Sequence, residues 1–309
     1  MYQGIKNLME EVYRNFPFDL IHAHEVLPDG HAGAILKRQF NCPLVLTLHG
    51  SSDIYKASQL SKLHKRKVAE TLNEADVVIA VSSQLSKIVE KEYSSRSKML
   101  VINNGFSPNR IYRGYLPASS TMATLLTVGS LVERKGHRYL LLALAELVKN
   151  HSNIKLLIIG DGPKRVELER LIDKLSLQEH VDLLGFIPPE RLAEFYAASD
   201  IFVLPSWQEA FGIVYLEAMA NGKPVIGCQG EGIEDFVEHK KTGCLVKPKD
   251  VDSLVEALDY LLSHPKEAKA MGERARETAL QYTWERNAER TIEVYKEVLS
   301  GKCVASSDT

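Results

Sequence analysis

Cysteine is scarce in this 309-residue chain, and Cys42, Cys228, Cys244 and Cys303 lie far apart, forming neither a C-x-x-C pair nor a metal-ligand cluster. That excludes a disulfide framework and fits a reducing compartment. Long apolar runs are missing as well: no stretch approaches the ~20 residues that span a bilayer, and no basic start leads into an apolar segment. The expected location is cytoplasmic, with room for peripheral contact at the inner face of the membrane. Excess charge is also absent, since 38 Lys plus Arg face 40 Asp plus Glu for a net charge of -2. A general attraction to nucleic acid is thereby excluded. Short repeats and low-complexity tracts are lacking too. What remains is an ordinary globular composition, 45% hydrophobic and 25% charged, in a chain long enough for two domains.

Short apolar runs rich in branched residues alternate with helical patterns, which predicts an α/β protein with parallel sheets. In the first part, strands are expected at 19–23, 44–48, 77–81 and 99–102. The stretch from Tyr112 to Thr121, with Gly114, Pro117, Ser119 and Ser120, reads as a linker. Beyond it, strands are expected at 124–128, 155–159, 181–184, 201–204, 224–226 and 244–246. Helices are expected at 138–149, 164–175, 189–198, 214–220, 253–262 and 284–299. The domain reading is 1–115, 116–283, a final helix at 284–300 and a disordered tail at 301–309.

The most informative segment runs from Pro205 to Ala220 and follows a strand end, where ligands of open α/β sheets sit. A helix starting near Gly212 would point the amides of Phe211, Gly212 and Ile213 at a phosphate. Glu209, with Ala210 beside it, would lie in the preceding turn, where a carboxylate can accept from sugar hydroxyls. Glu217 would lie about 7 Å further along the axis, a distance that suits a ribose. The alternative is a capping Glu209 and a solvated Glu217.

A second strand end, Gly129 to His137, carries Arg134 and Lys135, cations that can stabilise a departing diphosphate. An exposed basic loop is the bland alternative. In the first half, His49 ends a strand before Gly50-Ser51-Ser52-Asp53 and could orient a sugar or contact the transferring centre, or be an ordinary hydrogen-bonded histidine. His22, His24 and His31 lack the companions of a metal site, so no metal is expected. Asp250-Val251-Asp252 reads as a helix cap rather than a metal motif, and Gly160-Asp161-Gly162-Pro163 fails the dinucleotide spacing. The basic run from Lys62 to Lys67 reads as a solvated helix face, with an anionic lipid or lipid-linked acceptor as the alternative.

From about Phe18 to Leu299 the chain resembles the retaining GT-B glycosyltransferases of the family 4-like, group 1 type. Glu209 and Glu217 match the family's Glu-x7-Glu motif, and Lys135, Gly160 to Pro163, Gly185-Phe186, Gly230 to Glu234 and Lys241 to Val246 match further motifs. The resemblance implies two Rossmann-like domains facing a cleft, the N-terminal one incomplete before Phe18. It further implies metal-independent transfer, with retention, from a UDP- or GDP-sugar to a glycan or lipid-linked acceptor. Glu209 and the Phe211-Gly212 amides would meet sugar and phosphate, Lys135 the diphosphate, Glu217 the ribose, and His49 would be the active-site histidine. Gly185 and Phe186 belong to the implied donor site. Phe18 to Gly50 is similar to transferases of teichuronic acid and related cell-surface polysaccharides. Ser130 stands where the family commonly has arginine. A shortened N-terminal sheet would favour self-association and low activity, with a non-catalytic sugar-nucleotide-binding protein or inactive truncated homologue as the alternative, and an epimerase as a second enzyme rival.

Overall fold

Runs such as Leu44–Leu48 and Val77–Ala80 are buried at every position, as parallel strands covered on both faces must be. The structure, a computed structural model, describes residues 2–50, 52–93, 95, 97–112, 114 and 122–301. Most of the expected linker, and the tail from 302 onward, lie outside the described residues.

The chain forms two units, one made of Met1–Asn104 with Glu285–Thr309, the other of Gly105–Trp284. In unit 1 the order is α1 Tyr2–Asn15, β1 Ile21–His24, α2 His31–Phe40, β2 Leu44–Leu48, α3 Ser52–Tyr55, α4 Lys62–Glu74, β3 Val77–Ala80, α5 Ser83–Tyr93 and β4 Lys98–Val101. Its strands pair in parallel in the order β1-β2-β3-β4, with His24 opposite Thr47. Among the described residues, β1 pairs only with β2.

Unit 2 contains β5 Ala123–Val128, α6 His137–Leu147, β6 Ile154–Ile159, α7 Arg165–Lys174, β7 Val181–Gly185, α8 Leu192–Ala198, β8 Ile201–Val203, α9 Ile213–Ala220, β9 Val225–Cys228, β10 Gly243–Val246, α10 Val251–Ser263 and α11 Pro265–Ala279. Its sheet runs β10-β9-β8-β5-β6-β7, all parallel. The chain winds outward from β5 through β6 to β7, then returns to the other side of β5 with β8. The strand order therefore reverses between β5 and β8, and it is at the carboxyl ends of strands at such a switch point that open α/β sheets place ligands. Leu125, Leu156, Ile158, Leu140 and Leu144 fill the core between this sheet and its helices.

The last helix, α12 Trp284–Leu299, returns to unit 1. Val294 packs with Val45, Val77, Ile79 and Ile102, and Tyr295 and Val298 flank the cluster. Asn287 Nδ2 donates to Asn103 O and the Arg290 guanidinium to Val101 O, both at 2.8 Å, which ties α12 to the end of β4.

Every strand expected from the sequence is present within two residues of its expected bounds. Helix α11 has no counterpart in the sequence reading. Its inward positions are Ala268, Met271, Gly272, Ala275 and Ala279, a helical period written mostly in small residues.

Candidate functional site

The β5 loop and the β8 loop meet at the reversal point of unit 2. Gly136 ends the short turn Glu133–Lys135 with φ 75°, and a Cβ there would lie 2.2 Å from Pro205 O, so glycine lets the two loops touch. Trp207 N donates to Arg134 O at 2.9 Å, and the exposed Arg134 side chain reaches Gln208 O at 3.5 Å. From behind, Leu131 N donates to Asp161 O and Lys164 N to Leu131 O. The Gly160 to Pro163 segment thus braces the β5 loop.

At the junction Lys135 Nζ lies 2.5 Å from Glu209 Oε2, and both side chains are largely buried. Ser206 Oγ donates to the same oxygen at 2.9 Å. The backbone of the turn is held by Glu231, which accepts from Gln208 N at 2.9 Å and Glu209 N at 2.8 Å. Gln208 has φ 58°, an uncommon left-handed conformation for a residue with a side chain. Burial pushes the Glu231 carboxyl up to about 7, although those two amide bonds oppose the shift.

Helix α9 begins at Ile213, after Gly212 with φ 86°. No described residue accepts from the amides of Phe211 or Gly212. The Phe211 ring is buried against Phe236 and Tyr282, so only its backbone is available to a ligand. Ala210 and Ile213 are half-buried at this helix start.

Glu217, at the fifth position of α9, is buried. Tyr196 donates its hydroxyl to Oε2 at 2.9 Å, and Arg110 Nε lies 3.5 Å from Oε1. Burial raises the Glu217 carboxyl above its ordinary range, with Tyr196 and Arg110 pulling it back. Asn221 Nδ2 links the Arg110 and Glu217 carbonyls at 2.8 Å each. The surface reading of Glu217 is therefore excluded. Gly185 ends β7 with φ 72°, and Phe186 beside it is 71% exposed.

Sequence reasoning did not single out Ser206, Tyr196 or Arg110, and it gave Glu231 no role of its own. Glu231 lies in the Gly230 to Glu234 motif, and its glycine flanks are the signal that could have marked it.

In unit 1, His24 Nδ1 lies 2.8 Å from His49 Nε2, and the two rings meet edge to edge, 16° from parallel with centroids 5.1 Å apart. His22 stacks on His24 at 4.5 Å and is held at both nitrogens, by Tyr295 Oη at 2.5 Å and Thr47 Oγ1 at 2.7 Å. Burial, then the neighbouring His24 and His49, brings the His22 pKa down to about 4. His49 is lowered too, by burial first and His24 second. His31 is elsewhere, 3.4 Å from Thr71 Oγ1. No group of three metal-ligating side chains occurs among the described residues. Asp250 caps α10 by accepting from Ser253 N at 2.9 Å. Lys62–Glu74 is capped by Ser61 and exposes most of its basic run. No helix among the described residues is long and apolar enough to cross a membrane.

The family described as Glycosyl transferases group 1 matches residues 110–278, and Glycosyltransferase Family 4 matches residues 4–110. An uncharacterized glycosyltransferase of Methanocaldococcus jannaschii is 30% identical over 296 residues, covering 90% of this chain and 75% of that protein. A D-inositol 3-phosphate glycosyltransferase of Corynebacterium urealyticum is 32% identical over 305 residues, covering 90% and 71%. Sucrose-phosphate synthase from Thermosynechococcus elongatus matches with a TM-score of 0.85 at 27% identity, over 97% of this chain and 79% of that one. HepE of Anabaena, solved with UDP and glucose, matches with a TM-score of 0.81 at 25% identity, over 96% and 83%.

Proposed function

We propose that this chain, which belongs to the group 1 glycosyl transferases and has their GT-B fold, moves a sugar from a nucleoside diphosphate to an acceptor hydroxyl with retention of configuration. The observation that carries this reading is the Lys135–Glu209 contact at the β5/β8 reversal point, beside the open amides of Phe211 and Gly212. A cation and a helix start side by side suit a diphosphate, whose charge grows as the bond between the anomeric carbon and the phosphate oxygen breaks. Lys135 has three donor positions and spends one on Glu209, leaving others for the leaving group. Arg134, on the same loop, adds positive charge where Ser130 supplies none.

Glu209 accepts from hydroxyls of the transferred sugar. Glu217 accepts from the ribose, for which its oxygens retain lone pairs beyond those used by Tyr196 and Arg110. The exposed Phe186 ring, after Gly185, offers an apolar face to the base. His49 is the histidine that meets a substrate hydroxyl. The UDP in HepE supports UDP as the first nucleotide to test, with GDP next. The acceptor in this reading is a glycan or lipid-linked hydroxyl compound.

The test is a thermal-shift panel of UDP, GDP, ADP and their sugars, in EDTA and with added magnesium or manganese, since a ligand bound only by the folded state raises stability. A shift of several degrees for one base, retained in EDTA, is expected. No shift with any member overturns the donor assignment, and a shift only with added divalent metal overturns the phosphate role of Lys135.

A further inference from the structure

We infer that His24 is a positioning residue for His49, fixing its tautomer so that His49 Nδ1 presents a lone pair to a substrate hydroxyl. Two imidazole nitrogens 2.8 Å apart need one proton and one lone pair between them. Neutral histidine prefers its proton on Nε2. With both rings in that form, His49 Nε2–H donates to His24 Nδ1, and His49 Nδ1 is left as an acceptor.

The surroundings agree with this assignment. His22 satisfies the same tautomer, because Tyr295 can donate to its Nδ1 while its Nε2–H donates to Thr47 Oγ1. Stacked on His24 and held at both nitrogens, His22 keeps that ring in place. Strand pairing sets the spacing, since His24 sits opposite Thr47 and His49 follows β2 directly. No described residue bonds to His49 Nδ1 or His24 Nε2. A proton on the wrong nitrogen would turn His49 from acceptor to donor, and such an error is costly in catalysis even when geometry is kept.

The consequence for catalysis rests on the transferase reading, whereas the ring pairing can be measured with neither donor nor acceptor. The test uses the full ligand-free chain carrying nitrogen-15 histidine, with long-range proton–nitrogen spectra of the wild type, His24→Ala and His24→Asn. Expected are a protonated His49 Nε2 and a bare Nδ1 in the wild type, a shift toward the averaged pattern in His24→Ala, and recovery in His24→Asn, whose amide oxygen stands where Nδ1 stood. UDP release from UDP-glucose as the probe should show kcat lowered about tenfold or more in His24→Ala at unchanged KM, and restored in His24→Asn. A bare His49 Nε2 in the wild type, or His49 nitrogens unmoved in His24→Ala, overturns the inference. The nitrogen shifts decide it whether or not the wild type releases UDP, so failure of the transferase reading is seen separately.

Discussion

Glu231 holds the backbone of Glu209: its two carboxylate oxygens accept from the main-chain amides of Gln208 and Glu209 at 2.9 and 2.8 Å. One acidic residue thereby sets the turn from which the other reaches Lys135. Two such carboxylates close together are tolerated because Glu209 is paired with a cation and Glu231 with amides.

This arrangement predicts a pH signature. Burial raises the Glu231 carboxyl from 4.5 to about 7, so the folded chain takes up this proton more readily than the unfolded one. The resulting stability is fully present below about pH 4.5 and lost as pH rises through about 7. Between about pH 5 and about pH 8 the wild type should lose roughly 2 kcal/mol that Glu231→Gln does not lose. Denaturant unfolding of both proteins across that range checks it, and parallel curves would refute it.

Glu209→Gln removes a charge but keeps the side chain's shape, leaving Lys135 free for phosphate. UDP affinity should stay within about threefold of the wild type or rise, while sugar transfer falls about a hundredfold. Lys135→Ala should instead weaken UDP about tenfold or more, a loss of about 1.4 kcal/mol. Calorimetry with UDP and turnover of the sugar nucleotide separate the two effects. Equal losses of UDP affinity in both variants would end this division of roles.

Glu217 is a buried carboxylate held by Tyr196 and Arg110, so its removal tests stability as well as binding. Tyr196→Phe should cost about 1–2 kcal/mol, because the carboxylate loses a donor it cannot replace with water. Glu217→Ala should cost about 1–3 kcal/mol, chiefly by leaving the buried Tyr196 hydroxyl without an acceptor, and should also weaken UDP binding. Both are read by urea unfolding with and without UDP.

Val294→Ala on α12 should destabilise unit 1 by about 2 kcal/mol through a cavity against Val45, Val77 and Ile79. Hydrogen exchange should quicken in β3 and β4 while UDP protection of β5 and β8 is kept. Equal quickening in both sheets would contradict the separation of the cores.

The strands were legible because parallel strands buried on both faces are written as unbroken apolar runs, as at Leu44–Leu48. The Glu209 turn was legible because it combines a strand end, glycine and a helix start within one short segment. The partners that finish the site were not. Glu231 comes 22 residues after Glu209, and only the neighbouring placement of β8 and β9 brings the two together. Nothing in the sequence sets Tyr196 apart from the other positions of α8, and its hydroxyl acquires meaning only where it donates to Glu217. His22, His24 and His31 invited comparison with a metal site, yet the strand pairing joins His24 to His49, while His31, at the start of α2, lies beside Thr71.

Because Gly105–Trp284 stands between the two stretches of unit 1, the chain is one domain inserted into another. On the ribosome, β1 to β4 emerge early and must wait for Val294 and Tyr295 to cover the apolar patch around Val45 and Ile79. Unit 2, continuous in sequence, has all its parts before α12 is made. Domains usually complete their folding in order of synthesis, with the N-terminal one first. Here the unit that begins first receives its covering helix only after unit 2 is made, and its sheet, bare around Val45 and Ile79 until then, is the surface a chaperone would meet.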